Sequence, residues 1–577
     1  DNWLYNAKSG KRVRRIDGKW VMETTPFRGQ WGIAHDDFGR LYHNNNSTCL
    51  FGDQVAPNLL AGNAGVNLKT PEYIQLGPNN TWPVRVTPGV NRAYIAKKNG
   101  YPEDTLDPKT FKLLTTTASA GMAIYRGTNF PSDWLGRGLV GESVVNLVKV
   151  IQIDDSDGKL SGSHPFGRSE WLASSDERFR PVNLYNSPDG AVLLLDMYHG
   201  IIQDKTFMTS YLRDQYLSRG LDKPATGHGR IYRIRYNAGK LEAPLDFEKL
   251  SGEELIKLLA HKNGWHRDMA QRVLVDRGDA SVVPMLEKLV GVPGFPLGSI
   301  NALWTLEGLG KLSPKAVNAA LASKDTKVLC SGLWASTKLA AKDLPAVSAA
   351  IFAITPNSDE VKIYLARALG PLGTPEAYER LAQLIQNDGT KPFVRAAAFS
   401  GLDTREVAFK TAAGSKLTDK GLIAWLDQGA GASVAAVSGE GLKGDHLVSF
   451  NRGKALYSGV AACFGCHGAD GAGIPNLGPP LDASEYVNGP PERLSRILLH
   501  GLTGPITVAG QKYTPQADMP GLAMNPSMTD ENLADIATYV RHEWSNKSAQ
   551  VKAEVFTKTR AETKDQAGRP YNAATLK

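Results

Sequence analysis

The stretch ACFGCHGADG, residues 462–471, carries the most specific signal in this 577-residue sequence. Cys463 and Cys466 are separated by two residues, and His467 follows the second cysteine directly. This C-x-x-C-H pattern is the attachment signature of haem c, in which the two thiols form thioethers and the histidine ligates the iron. A zinc site would need further ligands nearby, yet the next histidine, His500, has no cysteine beside it. The motif therefore predicts covalently bound haem c held by Cys463, Cys466 and His467.

The second axial ligand is expected from a methionine between two predicted helices. The segment NRGKALYSGVAA (451–462) is amphipathic and precedes the motif, and TDENLADIATYVRHEW (529–544) is amphipathic and follows it. Three methionines compete for the position, Met519, Met524 and Met528, although a single methionine is more often core filler. Met519 precedes a proline that holds the chain extended, so we predict that Met519 and His467 are the two iron ligands.

Pattern and composition divide the chain into four parts. Residues 1–240 alternate short β-prone runs with Gly, Pro and Asn turns, as in DDFGRLY and SPDGAVLLLD. Residues 247–435 show short amphipathic segments with apolar positions at i, i+3, i+4 and i+7. The predicted fold class is multidomain: a partial, all-β propeller over 1–240, α-helical HEAT-like repeats over 247–435, an all-α cytochrome c domain over 447–546 and a C-terminal tail over 547–577.

Bulk properties exclude several classes of protein. A net charge of +8 is spread along the chain with the acidic residues interleaved, which does not favour nucleic-acid binding. No apolar run is long enough to cross a bilayer, and Cys49 and Cys330 lie too far apart in the sequence to suggest a disulfide framework. Haem c is attached outside the cytoplasmic membrane. We therefore expect a periplasmic or exported protein whose leader has been removed, with membrane association left open.

Several segments together resemble a known family. They are TPFRGQWGIAHDD (25–37), IYRGTNFP (124–131), DERFRPVNLYN (176–186), RDMAQRVLVDRGD (267–279) and HGLTGPITVAGQKY (500–513). The sequence resembles the PVC-type membrane-bound dehydrogenase family of planctomycetes and their relatives. Members of that family combine a propeller, helical repeats and a C-terminal cytochrome c domain. In the cytochrome c domain of this family, the methionine before a proline is the expected iron ligand.

The resemblance implies an activity, because the family's propeller is similar to soluble sugar dehydrogenases that use pyrroloquinoline quinone. It implies oxidation of a sugar, polyol or aldehyde, with the quinone and a calcium ion as further cofactors. The electrons would pass through haem c to an acceptor protein, a cytochrome or an oxidase. A propeller commonly needs six or more blades, and residues 1–236 are too few to supply them. We therefore expect a second fragment or chain to complete the ring.

Candidate catalytic residues lie in two of these segments. His35 would be the general base, with Arg28 and Gln30 as cofactor contacts. Arg178 and Arg180 would supply guanidinium groups in the other segment, near Asp196, Tyr198 and His199. Each assignment has a structural alternative: a histidine in a turn is often only hydrogen-bonded, and arginines such as these often join neighbouring blades. The alternative function is accordingly a scaffold that binds polysaccharide or a partner protein, with the haem as an electron relay.

Overall fold

The computed structural model divides the chain into two compact units, residues 1–430 and 431–577. The structure describes residues 1–16, 18–63, 72–86, 106–107, 109–110, 112–202, 210–223, 226–403, 405–414, 417, 423, 426, 442–458, 461, 463–468, 471–474, 477–514, 518–525, 528–566, 569–574 and 576. Within these ranges, no helix is both long and apolar enough to cross a membrane.

The first unit opens with antiparallel sheets in chain order. The first contains β1 (Leu4–Tyr5), β2 (Lys11–Ile16) and β3 (Lys19–Thr24), and the second contains β4 (Ile33–His35), β5 (Leu41–Asn45), β6 (Thr48–Asp53) and β7 (Tyr73–Gln75). The third contains β8 (Ser119–Ile124), β9 (Gly138–Glu142), β10 (Leu147–Ser156), β11 (Lys159–Ser163) and the short β12 (Leu172–Ala173), which pairs with β10. The fourth contains β13 (Pro181–Asn186), β14 (Val192–Asp196) and β15 (Arg230–Ile234). The predicted β structure is confirmed, and its closure into a propeller stays a prediction.

Local sequence explains the tight turns between these strands. In the turn DDFGR, the Asp36 carboxylate accepts the backbone N–H groups of Phe38 at 2.8 Å and Arg40 at 3.0 Å. Gly39 sits at φ +90°, a conformation that favours glycine. The apolar side chains of the strands then pack between sheets, and β8 lies against both β4 and β13.

Helices follow from residue 252 onward, as the periodicity predicts. After α1 (Ser210–Ser218) they are α2 (Gly252–Leu258), α3 (Gly264–Arg277), α4 (Val283–Val290), α5 (Pro296–Gly308), α6 (Pro314–Leu321), α7 (Thr326–Ser336), α8 (Pro345–Ala353), α9 (Asp359–Leu369), α10 (Pro375–Asp388), α11 (Pro392–Leu402) and α12 (Glu406–Ala413). Residues Val55, Ala56, Leu59 and Leu60, which follow β6, are buried in the same apolar core as these helices. Sheets and helices therefore form one unit, and the HEAT-like classification stays a prediction.

The second unit is mainly helical. It contains α13 (Gly444–Ser458), α14 (Phe464–His467), α15 (Glu485–Asn488), α16 (Pro491–His500), α17 (Asp530–His542) and α18 (Ala553–Glu562). The prediction of an all-α domain is wrong in one respect, because short strands follow α16: β16 (Gly501–Thr503), β17 (Ile506–Val508), β18 (Gln511–Tyr513) and β19 (Met519–Pro520). Glycine at position 501 allows β16 to pair closely with β19. Its φ is +88°, and a Cβ there would overlap the carbonyl oxygen of Met519.

The predicted C-terminal tail packs on this unit instead of standing apart from it. Phe556 of α18 is fully buried in the core that α13 and α17 share, and β20 (Tyr571–Asn572) pairs with β16 in parallel. The Thr559 hydroxyl bonds the Ser495 hydroxyl at 2.7 Å, and Arg560 pairs with Asp530 at 2.9 Å. The described residues between 547 and 576 are therefore part of the fold of the second unit.

Candidate haem c centre

The C-x-x-C-H motif folds as a single helical turn. The backbone N–H groups of Cys466 and His467 donate to the Cys463 carbonyl at 3.2 and 3.0 Å, which sets the three side chains along one short helix. Cys463 is half-buried and Cys466 is exposed, so both sulfur atoms lie at the edge of the unit. Burial raises the pKa of Cys463 to about 12, and the thiol is therefore neutral at ordinary pH. Two thiols one helical turn apart fit thioether attachment to one macrocycle.

His467 is oriented by a backbone carbonyl. Its Nδ1 donates to the Pro479 carbonyl at 2.8 Å, which leaves the lone pair of Nε2 available to a metal ion. The side chain is 7% exposed, and burial lowers its pKa, so the ring is in the neutral, ligating form. The segment that carries Pro479 reaches the motif through Gly478, where a Cβ would lie 2.8 Å from the Cys466 carbonyl oxygen. This donor set fits an axial imidazole of haem c.

The three candidate methionines occupy different environments. Met519 pairs with Leu502 between β16 and β19 and is half-buried against the apolar core that also contacts Cys463. Met524 is 81% exposed, whereas Met528 is 2% exposed and packed inside the core. A ligand must present its sulfur at the edge of the core where the haem attaches, and Met519 matches that requirement best. Its role as second axial ligand stays a prediction.

Two long helices support the centre. Gly453 of α13 lies so close to α17 that a Cβ would overlap the Asp535 carbonyl oxygen and approach the Tyr539 Cβ to 2.8 Å. The buried Asp535 carboxylate accepts the Ser449 hydroxyl at 2.6 Å and pairs with Arg452 at 2.8 Å. These contacts hold α13, which precedes the motif, against α17, which follows the predicted methionine ligand.

The predicted cofactor contacts of the first unit make internal bonds. Arg28 is buried and pairs with Asp53 at 2.7 Å, and it also donates to the Thr25 hydroxyl at 2.9 Å. The Gln30 side-chain oxygen accepts the Asn46 N–H at 3.3 Å, and the Gln30 backbone N–H donates to the Asn44 carbonyl at 2.8 Å. Both residues thus tie the segment before β4 to the second sheet.

His35 ends β4 and is 48% exposed. Its Nδ1 donates to the Asp36 carbonyl at 2.9 Å, and its Nε2 lies 3.5 Å from the carboxylate of Asp268 in α3. Arg126 holds that carboxylate with two bonds of 2.7 and 2.9 Å and also pairs with Asp37. The sequence interpretation missed both carboxylates, although Asp268 lies in the quoted segment RDMAQRVLVDRGD.

Arg178 and Arg180 lie at the start of the fourth sheet. Arg180 is buried and donates to the carbonyls of His199 at 2.9 Å, Gly200 at 2.7 Å and Ser143 at 2.8 Å. Burial lowers the pKa of Arg180 to about 10. Arg178 is half-buried and donates to the Gly220 carbonyl at 2.7 Å. Among the described residues, neither guanidinium bonds to His35, so the structure does not bring the three predicted catalytic residues together.

Comparison with known proteins supports the prediction of a cytochrome c domain in the second unit. Residues 450–544 match the cytochrome c family, and residues 1–238 match a domain of unknown function, DUF7133. Residues 450–544 therefore form a cytochrome c domain, and its cofactor is covalently bound haem c.

Two cytochromes c-552 are similar to this part of the chain. Both are from Thermus thermophilus, and each is 36% identical over 90 residues, which is 15% of this chain. The match spans 65% and 57% of the length of these two relatives.

Proposed function

We propose that this chain is an exported oxidoreductase in which the first unit oxidises a sugar, polyol or aldehyde and the cytochrome c domain passes the electrons on. A haem accepts one electron at a time, so it suits delivery to an external acceptor protein, a cytochrome or an oxidase. The buried, neutral His467 with its Nδ1 on Pro479 supports the electron-transfer part of this proposal.

The observation that carries the oxidation step is the half-exposed pair of His35 and Asp268. Removal of a hydroxyl proton needs a base that a small molecule can reach, and His35 is 48% exposed. The Asp268 carboxylate at 3.5 Å would stabilise the imidazolium that forms, and Arg126 fixes the position of that carboxylate. The Arg126 Nη1 also lies 3.5 Å from the same ring nitrogen, Nε2, and its charge partly offsets this stabilisation. His35 would thus accept the hydroxyl proton at Nε2, since Nδ1 is held by the Asp36 carbonyl. The hydride of the substrate C–H group would pass to an organic two-electron acceptor, which would then give its two electrons to the haem one at a time.

The proposed quinone comes from the family resemblance. Binding of its carboxylates requires guanidinium N–H groups that face a cavity, but those of Arg28 and Arg180 are buried and bonded to protein groups. These two residues do not fit the role, so we route no step through a quinone or a calcium ion.

One observation favours a second function, a scaffold that binds polysaccharide or a partner protein. Arg28 and Arg180 each join neighbouring segments of the sheets, which is the structural role that the alternative interpretation expects. In that case the haem would relay electrons between partner proteins, and the first unit would position them without chemistry of its own.

Haem reduction by substrate distinguishes the two functions. The haem-loaded full chain, together with the second fragment or chain that we propose completes its propeller, would be incubated with a panel of aldoses, polyols and aldehydes, and haem reduction followed by absorbance. We expect at least one substrate to reduce the wild-type haem, and His35→Gln to abolish this while reduction by dithionite stays normal. His228→Gln, which removes an exposed histidine elsewhere in the first unit, is the matched control. Mass spectrometry of the denatured supernatant would detect a released quinone.

Two results would contradict the oxidation proposal. A haem that no member of the panel reduces, but that a reduced cytochrome does reduce, would favour the scaffold. Unchanged substrate-driven reduction in His35→Gln would place the base elsewhere.

A further inference from the structure

Three potential metal ligands lie close together in the part of the first unit that connects its last strand to its helices. Glu242 lies in the segment that links β15 to α2, His261 lies between α2 and α3, and His266 lies in the first turn of α3. One ligand atom from each of the three residues falls within 4.8 Å of the others. Neither the cytochrome c domain nor the proposed oxidation uses these side chains.

The contact between Glu242 and His266 suits a small divalent cation. The His266 Nε2 lies 3.0 Å from a Glu242 oxygen. Zinc bonds of about 2.1 Å in a tetrahedral site place neighbouring ligand atoms about 3.4 Å apart. The two groups would therefore need to separate by only a few tenths of an ångström to share one ion.

His266 supplies a second, independent observation. It is 1% exposed, and its Nε2 is the nitrogen that faces Glu242, whereas its Nδ1 finds no hydrogen-bond partner among the described residues. Buried polar atoms are almost always paired, because leaving one unpaired is costly. Its ring stacks on Phe247 with centroids 5.8 Å apart and meets the His261 ring edge-on at 4.7 Å, so both imidazoles are held in place.

Glu242 is positioned by groups that are not ligands. The Thr128 hydroxyl donates to one carboxylate oxygen, and the Asn263 side chain donates to the other at 3.3 Å. Hydrogen bonds of this kind to the ligands are typical of metal sites, where they orient the first coordination shell.

Two features oppose a cation here and set the expected strength of binding. Arg267 donates to the His261 carbonyl, but its charge is paired with Asp37. The Asn263 N–H donates to His261 Nδ1 at 3.1 Å, and this bond is lost whichever nitrogen of His261 binds the metal. We therefore expect affinity in the micromolar range, weaker than that of a typical structural zinc site.

The geometry points to a zinc site formed by Glu242, His261 and His266, with solvent completing the coordination. Two neutral imidazoles and a carboxylate are ligands that zinc accepts. An ion there would join the linker after β15 to the start of α3, and would thus fasten the sheets of the first unit to its helices.

Zinc binding to the haem-loaded full chain tests this assignment. Haem attachment occupies Cys463, Cys466 and His467, and Cys49 and Cys330 are buried thiols, so cysteine ligands compete little. Equilibrium dialysis against zinc, with metal and haem quantified together, should give one zinc per chain. X-ray absorption should show nitrogen and oxygen ligands, including two imidazoles, without sulfur.

Three variants make the test specific. Glu242→Gln can keep both contacts, with the amide oxygen accepting from Asn263 and the amide N–H donating to the Thr128 hydroxyl. His266→Phe keeps the ring stack on Phe247. Each should lower zinc affinity by at least about tenfold. His228→Gln is the control and should bind as the wild type does.

Circular dichroism without zinc checks that each variant is folded. If His266→Phe does not fold, the zinc affinity of Glu242→Gln alone tests the assignment. A wild-type chain that holds no zinc, a zinc site with sulfur ligands, or wild-type affinity in the folded variants would overturn the assignment.

Discussion

At the scale of single residues, the predicted iron ligand is the sharpest hypothesis. Met519→Ala should keep the haem attached, because both cysteines remain, but should remove the sulfur ligand and lower the reduction potential. Met524→Ala is the matched control, since that side chain is 81% exposed and should leave the potential unchanged. Redox titration of the two variants beside the wild type measures this. A shift with Met524→Ala and none with Met519→Ala would reassign the ligand.

His43 of β5 is expected to make the first unit sensitive to acid. Burial lowers its pKa to about 3, and the positive charge of Arg28 adds to the effect. In the unfolded chain its pKa is about 6.5, so between those values the unfolded state binds the extra proton and stability falls as pH falls. Above pH 6.5 the contribution is constant.

His43→Phe removes that proton-binding group and can keep the aromatic contacts with Phe51 and Tyr73. Between about pH 6 and pH 4 the variant should therefore lose less stability than the wild type, by about 2–3 kcal/mol. Urea unfolding at several pH values, followed by tryptophan fluorescence, measures the difference. Parallel stability curves for the two proteins would show that His43 does not titrate on unfolding.

At the scale of elements, the crossing of α13 and α17 holds the cytochrome c domain together. Gly453→Ala would drive a methyl group into the Asp535 backbone, so the helices must separate, at a cost of about 1–3 kcal/mol or more. Asn451→Ala, at an exposed position of the same helix, controls for helix propensity. Thermal unfolding followed by haem absorbance should show a lower midpoint for Gly453→Ala only. Equal midpoints would mean that the helices adjust without cost.

Individual helices and turns could largely be predicted from the sequence, whereas the segments that pack against them could not. The apolar spacing in SINALWTLEG predicts a helix where α5 lies, and the Asp and Gly of DDFGR predict the observed turn. Periodicity reports which face of an element is buried, but not what buries it. The pairing of Arg126 with Asp268 and the packing of Phe556 on the haem-domain core depend on contacts between distant segments, and no local pattern encodes them.

At the scale of the whole molecule, a buried ion network joins the sheets and helices of the first unit. Arg40, next to β5, pairs with Asp155 of β10 at 2.7 Å and with Glu360 of α9 at 2.6 Å. Lys327 of α7 reaches the same two carboxylates at 2.6 and 2.8 Å. Because Arg40 and Glu360 are almost fully buried, their charges depend on each other.

Glu360→Ala should therefore destabilise sheets and helices together while sparing the cytochrome c domain. Removing one partner of a buried pair costs about 3 kcal/mol even at the low end, and Asp155 remains to hold Arg40. Hydrogen exchange measured by mass spectrometry should rise in peptides from both β10 and α9 and stay unchanged in peptides from α13 and α17. Glu376→Ala, at an exposed position of α10, is the control. Faster exchange in α9 alone would mean that the helices unfold separately from the sheets, and faster exchange in α13 would mean that the two units share one unfolding transition.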